Sequence, residues 1–235
     1  MYIVILTALG VGGATIAGAA VGFFFKNISE KHSSTILSFA AGVMLAASVF
    51  GLIEPALETG GLLPCLLGIF SGGICMDLME RMVTHLRPQA TETNHVMLFV
   101  AAIAIHNLPE GIAAGVGFGT GDTANALMIA GGIALQNIPE GMVIIGPMLS
   151  TGMSPGRTFL YALATGVIEV VGTFLGYYAI TTVISLLPFA LSFAAGTMIF
   201  IICDEMIPQT RQDNSASGYG ILAGFSLMLA VSVLL

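Results

Sequence analysis

The chain has 235 residues, of which 56% are hydrophobic and only 8% charged, and its mean hydropathy is +0.98. Too little polar surface is available to coat a water-soluble globule of this size, which makes the chain an integral membrane protein. The formal charge of −7 does not describe a solvated acidic face, because several acids sit inside apolar runs, so net charge says little about partners.

Cutting the chain at its polar and Gly/Pro punctuation predicts spans at 3–25, 36–57, 62–80, 95–119, 123–149, 158–180, 187–207 and 218–235. The expected fold is all-α: eight transmembrane helices in one domain covering 1–235, most of about 20 residues, the length a bilayer core demands. The runs are continuously apolar, with Gly and Ala throughout, and lack the alternation of a β-barrel. No charged segment precedes the first span, so 3–25 reads as a retained helix rather than a cleaved leader. Small residues at spacing four, Gly18 with Gly22 and Gly68 with Gly72, allow helix backbones to approach closely. Cys65, Cys75 and Cys203 show no CxxC spacing and read as small core residues. Lys26 and Lys31 follow the first span, Arg81 and Arg87 the third, Arg157 the fifth and Arg211 the seventh. All six cations thus fall on one side, the cytoplasmic one, which puts both termini outside in a multi-pass protein of the cell (inner) membrane.

Inside the fourth and fifth spans one phrase occurs twice: His106-Asn107-Leu108-Pro109-Glu110-Gly111 and Gln136-Asn137-Ile138-Pro139-Glu140-Gly141. A prolyl ring removes a helix donor and crowds the preceding turn, so each helix is expected to break just before its Glu, freeing backbone oxygens beside a carboxylate. The fourth span runs outward and the fifth inward, so the copies form a local inverted pair of broken helices at mid-membrane, the pattern of an ion site. Residues 106, 107 and 110 share a helix face, as do 136, 137 and 140. Glu169, midway along the sixth span, is a third acid at that depth. Ionised carboxylates in hydrocarbon are costly, no Lys or Arg lies at that level, and one His cannot balance three acids. They are either protonated or balanced by bound cations, and the neighbouring amides favour cations. A plainer reading makes Glu169 a protonated packing device and the amides interhelical glue, yet it leaves the recurrence of acid, amide and proline unexplained.

These residues resemble the signature of the ZIP family of divalent metal transporters. The similarity extends to Ala164-Thr165-Gly166-Val167-Ile168-Glu169 and to Ala194-Ala195-Gly196-Thr197-Met198-Ile199 leading to Asp204-Glu205, in the manner of a short bacterial member. The resemblance implies a two-metal site. His106, Glu110, Gln136 and Glu140 would hold one ion, with Met44 as a soft contributor. Asn107, Glu110, Asn137, Glu140 and Glu169 would hold the other, with Glu110 and Glu140 bridging. It also implies uptake into the cytoplasm by elevator-like alternating access, with zinc first among cargoes that include cadmium, iron and manganese, and no resident cofactor. Many members carry His where this chain has Gln136, and some bacterial ones carry Asp where it has Asn137. An amide is the weaker zinc ligand, so the first site should be more permissive and the second weaker. The family's long His-rich loop is reduced here to the stretch from Arg81 to Asn94, with His85 inside and His95 at its edge.

Acids also mark both mouths. Glu54 and Glu58 close the outer end of the second span, while Asp204, Glu205, Asp77 and Glu80 gather at the inner end. They concentrate cations; Glu58 and Glu205 are candidate transit ligands with Asp204 beside them, and Glu80 reads as a balance for Arg81. The expected partners are divalent metal ions and the lipid bilayer, with a homodimer left open and no nucleic acid. A rival carrier reading binds protons or sodium at the same three acids. A hydrolase reading needs a catalytic ion and a general base, but the chain has no HExxH and only one His in the cluster.

Overall fold

In the computed structural model, which describes residues 1–25, 29–86, 92–211 and 217–234, every regular element is helical. In chain order these are α1 (Tyr2–Phe24), α2 (Glu30–Ala46), α3 (Glu54–Gly60), α4 (Leu62–Leu86), α5 (Glu92–Val116), α6 (Thr123–Val143), α7 (Ile145–Ser150), α8 (Pro155–Thr182), α9 (Leu187–Ile201), α10 (Ile207–Arg211) and α11 (Ser217–Leu234). Among the described residues, seven helical stretches are long and apolar enough to cross a membrane: Tyr2–Phe24, Lys31–Gly60, Leu62–Val83, Thr123–Ser150, Pro155–Thr182, Ile184–Thr210 and Ser217–Leu234. Their limits lie within a few residues of the expected spans, apart from the second, which begins earlier. The chain is a multi-pass membrane protein, with α4 presenting Leu62, Leu63, Leu67, Phe70 and Met82 on its exposed face.

The structure corrects the expectation of a break at each proline. The α5 helix continues through Pro109 and α6 through Pro139. Each ring still removes the N–H that would have bonded the carbonyl four residues back, at Ile105 and Leu135, and neighbouring helices hold the backbone in place. Departures from α geometry fall elsewhere, at the π-helical turns Ala47–Ile53 and Ile202–Met206 in the second and seventh spans.

Glycines determine which helices touch. A Cβ added at Gly111 would stand 2.3 Å from the Glu169 carbonyl oxygen, and one at Gly115 would stand 2.1 Å from that of Thr173, so α5 and α8 run parallel, backbone against backbone. Gly18 meets Ile138 and Gly141 meets Thr15, each at 2.2 Å by the same measure, which seats α1 on α6. Gly12 faces Gly166 and ties α1 to α8, while Gly72 and Gly196 join α4 to α9, and Gly42 and Gly224 join α2 to α11. Gly18 with Gly22 and Gly68 with Gly72 lie on these contacts, as their spacing predicts. Helices α1, α5, α6 and α8 thus form one tightly joined set, alongside the pairs α2 with α11 and α4 with α9.

Lys31, Arg81 and Arg157 are exposed at one end of the bundle. Lys26, Arg87, part of the loop from Arg81 to Asn94, and the side chains of His95 and Arg211 lie outside the described residues.

Candidate metal centre

The two copies of the phrase face each other because of the turn that joins them. A 3-10 turn, Gly117–Thr120, leads to Gly121 at φ 75, a left-handed conformation that costs glycine little. Asp122 then caps α6, its Oδ1 accepting from the backbone N–H of Ala124 at 2.8 Å and of Asn125 at 3.3 Å. Running back beside α5, α6 brings Gln136 level with Glu110, and Gln136 Nε2 donates to Glu110 Oε1 at 2.9 Å.

Glu169 of α8 is fully buried and collects three donors. Thr15 Oγ1 donates to its Oε1 at 2.7 Å, Asn107 Nδ2 donates to the same oxygen, and Asn137 Nδ2 donates to Oε2 at 2.7 Å. Asn137 Nδ2 also reaches the Val11 carbonyl at 3.3 Å. Glu110 lies within electrostatic reach of both Glu140 and Glu169, so all three acids belong to one cluster. Beside it a cavity of ≈ 250 Å³ is lined by His106, Asn107, Glu110, Glu140, Glu205 and Met206. Leu37 near the start of α2, Ala102 in the first half of α5, and Gln209 of α10 also line it, which places it toward the end of the bundle bearing Lys31 and Arg81.

Among the buried side-chain atoms, Glu110 Oε2, Gln136 Oε1 and Asn137 Oδ1 have no hydrogen-bond partner. All three are acceptors. A buried acceptor left unmatched costs about 1–3 kcal/mol, and three in one cluster fit oxygen ligands that await a cation.

The remaining predicted residues are placed unevenly. Met44 is sealed in the apolar core with Leu52 and Met198 and does not line the cavity, whereas Met206 does. Glu58 and Asp204 are exposed, and Glu205 is half-buried. Glu80 does not balance Arg81: Arg81 Nε bonds Asp77 Oδ1 at 2.7 Å, while Glu80 Oε1 stands 3.6 Å from His106 Nε2. With Glu205 Oε2 3.4 Å from His106 Nδ1, these three residues offer ligand atoms all within 4.8 Å of one another. Both separations exceed a good hydrogen bond. Sequence reasoning missed this grouping, and it missed Thr15, since neither carries a local signal beyond a polar residue in an apolar run.

One consequence concerns Gln136. Imidazole is a stronger donor to a borderline cation than an amide oxygen, so if Gln136 is a metal ligand, Gln136→His is expected to raise zinc affinity while slowing release. Competition with a fluorescent chelator measures it, and an unchanged or weaker affinity places Gln136 outside the ligand set.

Fold and cluster together define a class: multi-pass α-helical membrane proteins that gather carboxylates and amides deep within the bundle. The family profile described as ZIP Zinc transporter matches residues 92–232, and the chain belongs to the ZIP family, whose members are transporters and not enzymes. It is 34% identical to zinc transporter ZIPB of Bordetella bronchiseptica over 235 residues, covering 92% of this chain and 76% of the relative. It is 33% identical to zinc transporter ZupT of Shigella dysenteriae serotype 1, over 95% of this chain and 93% of that one. To zinc transporter GufA of Myxococcus xanthus it is 30% identical, over 97% of each.

Proposed function

We propose that the protein takes up zinc, and with it cadmium, iron or manganese, into the cytoplasm through a two-metal site. The carrying observation is the set of buried, unmatched acceptors on Glu110, Gln136 and Asn137, in a cluster with three acids and no Lys or Arg. His106, Glu110, Gln136 and Glu140 hold the first ion. Asn107, Asn137 and Glu169 hold the second, sharing Glu110 and Glu140. Met44, packed in the core, is left out. The α5 helix, 25 residues long, serves as the eighth span, antiparallel to α6, and both termini lie outside. In that orientation the cavity opens to the cytoplasm, Glu80, His106 and Glu205 form its release path, and Glu58 gathers cations outside in the inner membrane.

Every residue of the two-metal set belongs to α5, α6 or α8, which α1 binds into one body. That body is suited to slide against α2, α4, α9 and α11 as the moving part of an elevator. The purified protein in liposomes is expected to show saturable zinc uptake that needs no sodium or proton gradient. Absence of zinc uptake, or uptake of sodium alone, overturns the reading in favour of a carrier that uses the acids for monovalent ions.

A further inference from the structure

We propose that Asn107, Gln136 and Asn137 are reversible partners of the buried acids: their NH₂ groups hold the carboxyl groups of Glu169 and Glu110 by hydrogen bonds in the empty carrier, and their carbonyl oxygens bind metal in the loaded one. All three amides are buried and all three direct nitrogen at a carboxylate, Gln136 to Glu110 and both asparagines to Glu169. Gln136 Oε1 and Asn137 Oδ1 are meanwhile buried without a partner. Gln136 and Asn137 are therefore half satisfied, with the unsatisfied half being the one that can bind metal.

The primary amide is suited to this by its chemistry. It carries two donors and an acceptor on one planar group, and its terminal torsion is broad, so a half-turn exchanges donor for ligand at little intrinsic cost. An ionised carboxylate in the same place binds metal more strongly but cannot donate to Glu169 or Glu110. Imidazole keeps one donor while its other nitrogen ligates, without needing to turn. Thr15 adds a third hydrogen bond to Glu169 from α1.

The consequence falls on one step of the cycle and rests on the transport reading above. Net uptake requires the unloaded site to return across the membrane, with its acids held only by these donors. Exchange of one metal ion for another does not require that step. Loss of one such bond is expected to slow the empty return by roughly tenfold or more.

Asn137→Asp and Gln136→Glu each remove a donor and add a carboxylate. In liposomes, the ratio of zinc exchange (vesicles preloaded with zinc) to net uptake (zinc-free vesicles) is expected to rise roughly tenfold or more for each variant. Bound zinc per protein, measured in parallel, is expected not to fall. A ratio within about twofold of the unaltered protein, with zinc still bound, overturns the proposal. The unaltered protein provides a second readout independent of any variant's folding. With ¹⁵N-labelled Asn and Gln, the side-chain NH₂ resonances assigned to residues 107, 136 and 137 are expected to shift on zinc addition as they leave their carboxylates. Unchanged resonances in zinc-loaded protein also overturn it. If the unaltered protein shows neither net uptake nor exchange, the transport reading itself fails, a result distinct from an unchanged ratio.

Discussion

Glu110→Ala and Glu140→Ala are each expected to abolish zinc uptake, by roughly a hundredfold or more, exceeding the ten- to hundredfold that loss of a supporting partner costs a metal site. In the two-metal site proposed above both acids touch two ions, so either loss would strip charge from both positions. Glu169→Ala is expected to differ in kind. It removes the acceptor shared by Thr15, Asn107 and Asn137 and so would empty the second position, while Glu110 and Gln136 are untouched and the first ion would stay. Uptake then survives at a reduced rate, and bound zinc falls from two ions toward one. Variants matched for membrane expression, with uptake and metal per protein both counted, decide the matter. Full uptake and stoichiometry in Glu110→Gln would show that this acid is only a protonated packing partner. Equal abolition by all three Ala changes would remove the hierarchy between the positions.

The second large effect comes from a residue with no polar atom in its side chain. At Gly111 an added Cβ would stand 2.3 Å from the Glu169 carbonyl oxygen and 2.9 Å from its Cα. These are backbone atoms, so no rotamer relieves the clash and α8 must move away from α5. Such overpacking costs about 1–3 kcal/mol, and Gly111→Val belongs at or above the upper end. The displacement also takes Glu169 away from Asn107, so metal per protein should fall together with the thermal midpoint. Gly131→Ala on α6 is the control: an added Cβ meets nothing within 4 Å there, and the change is expected to be neutral to within about 0.5 kcal/mol. Equal midpoints for the two variants in detergent would show that the α5–α8 contact is not tight.

How much of this was legible in the sequence depends on the range of each interaction. Span limits were legible because bilayer thickness imposes a length on any apolar run, and the phrase was legible because i, i+3 and i+4 place its polar residues on one face. Thr15 was not, since its partner Glu169 lies 154 residues away and only the docking of α1 against α8 brings them together. Glu80 was misread for a similar reason: its sequence neighbour Arg81 suggested a pair, whereas helix geometry gives Arg81 to Asp77 four residues back and turns Glu80 toward His106. The prolines show local chemistry overruled by packing. Their missing donors are real, but helices pressed against α5 and α6 hold a path that an isolated peptide would abandon. Nothing in the local pattern marked Ala47–Ile53 or Ile202–Met206 as the stretches where the helical winding widens.

The last letter of each repeated phrase is an address. Gly111 receives the backbone of α8 at Glu169, and Gly141 receives that of α1 at Thr15, so each glycine recruits the helix that brings one member of the Thr15–Glu169 bond. Six residues therefore encode a buried acid, a carbonyl left without its helical donor and the docking berth for the helix that completes the cluster. Copying such a phrase into a second, oppositely directed helix transfers the assembly instruction along with the chemistry, so the two halves of an intramembrane site can arise by duplicating a very short text.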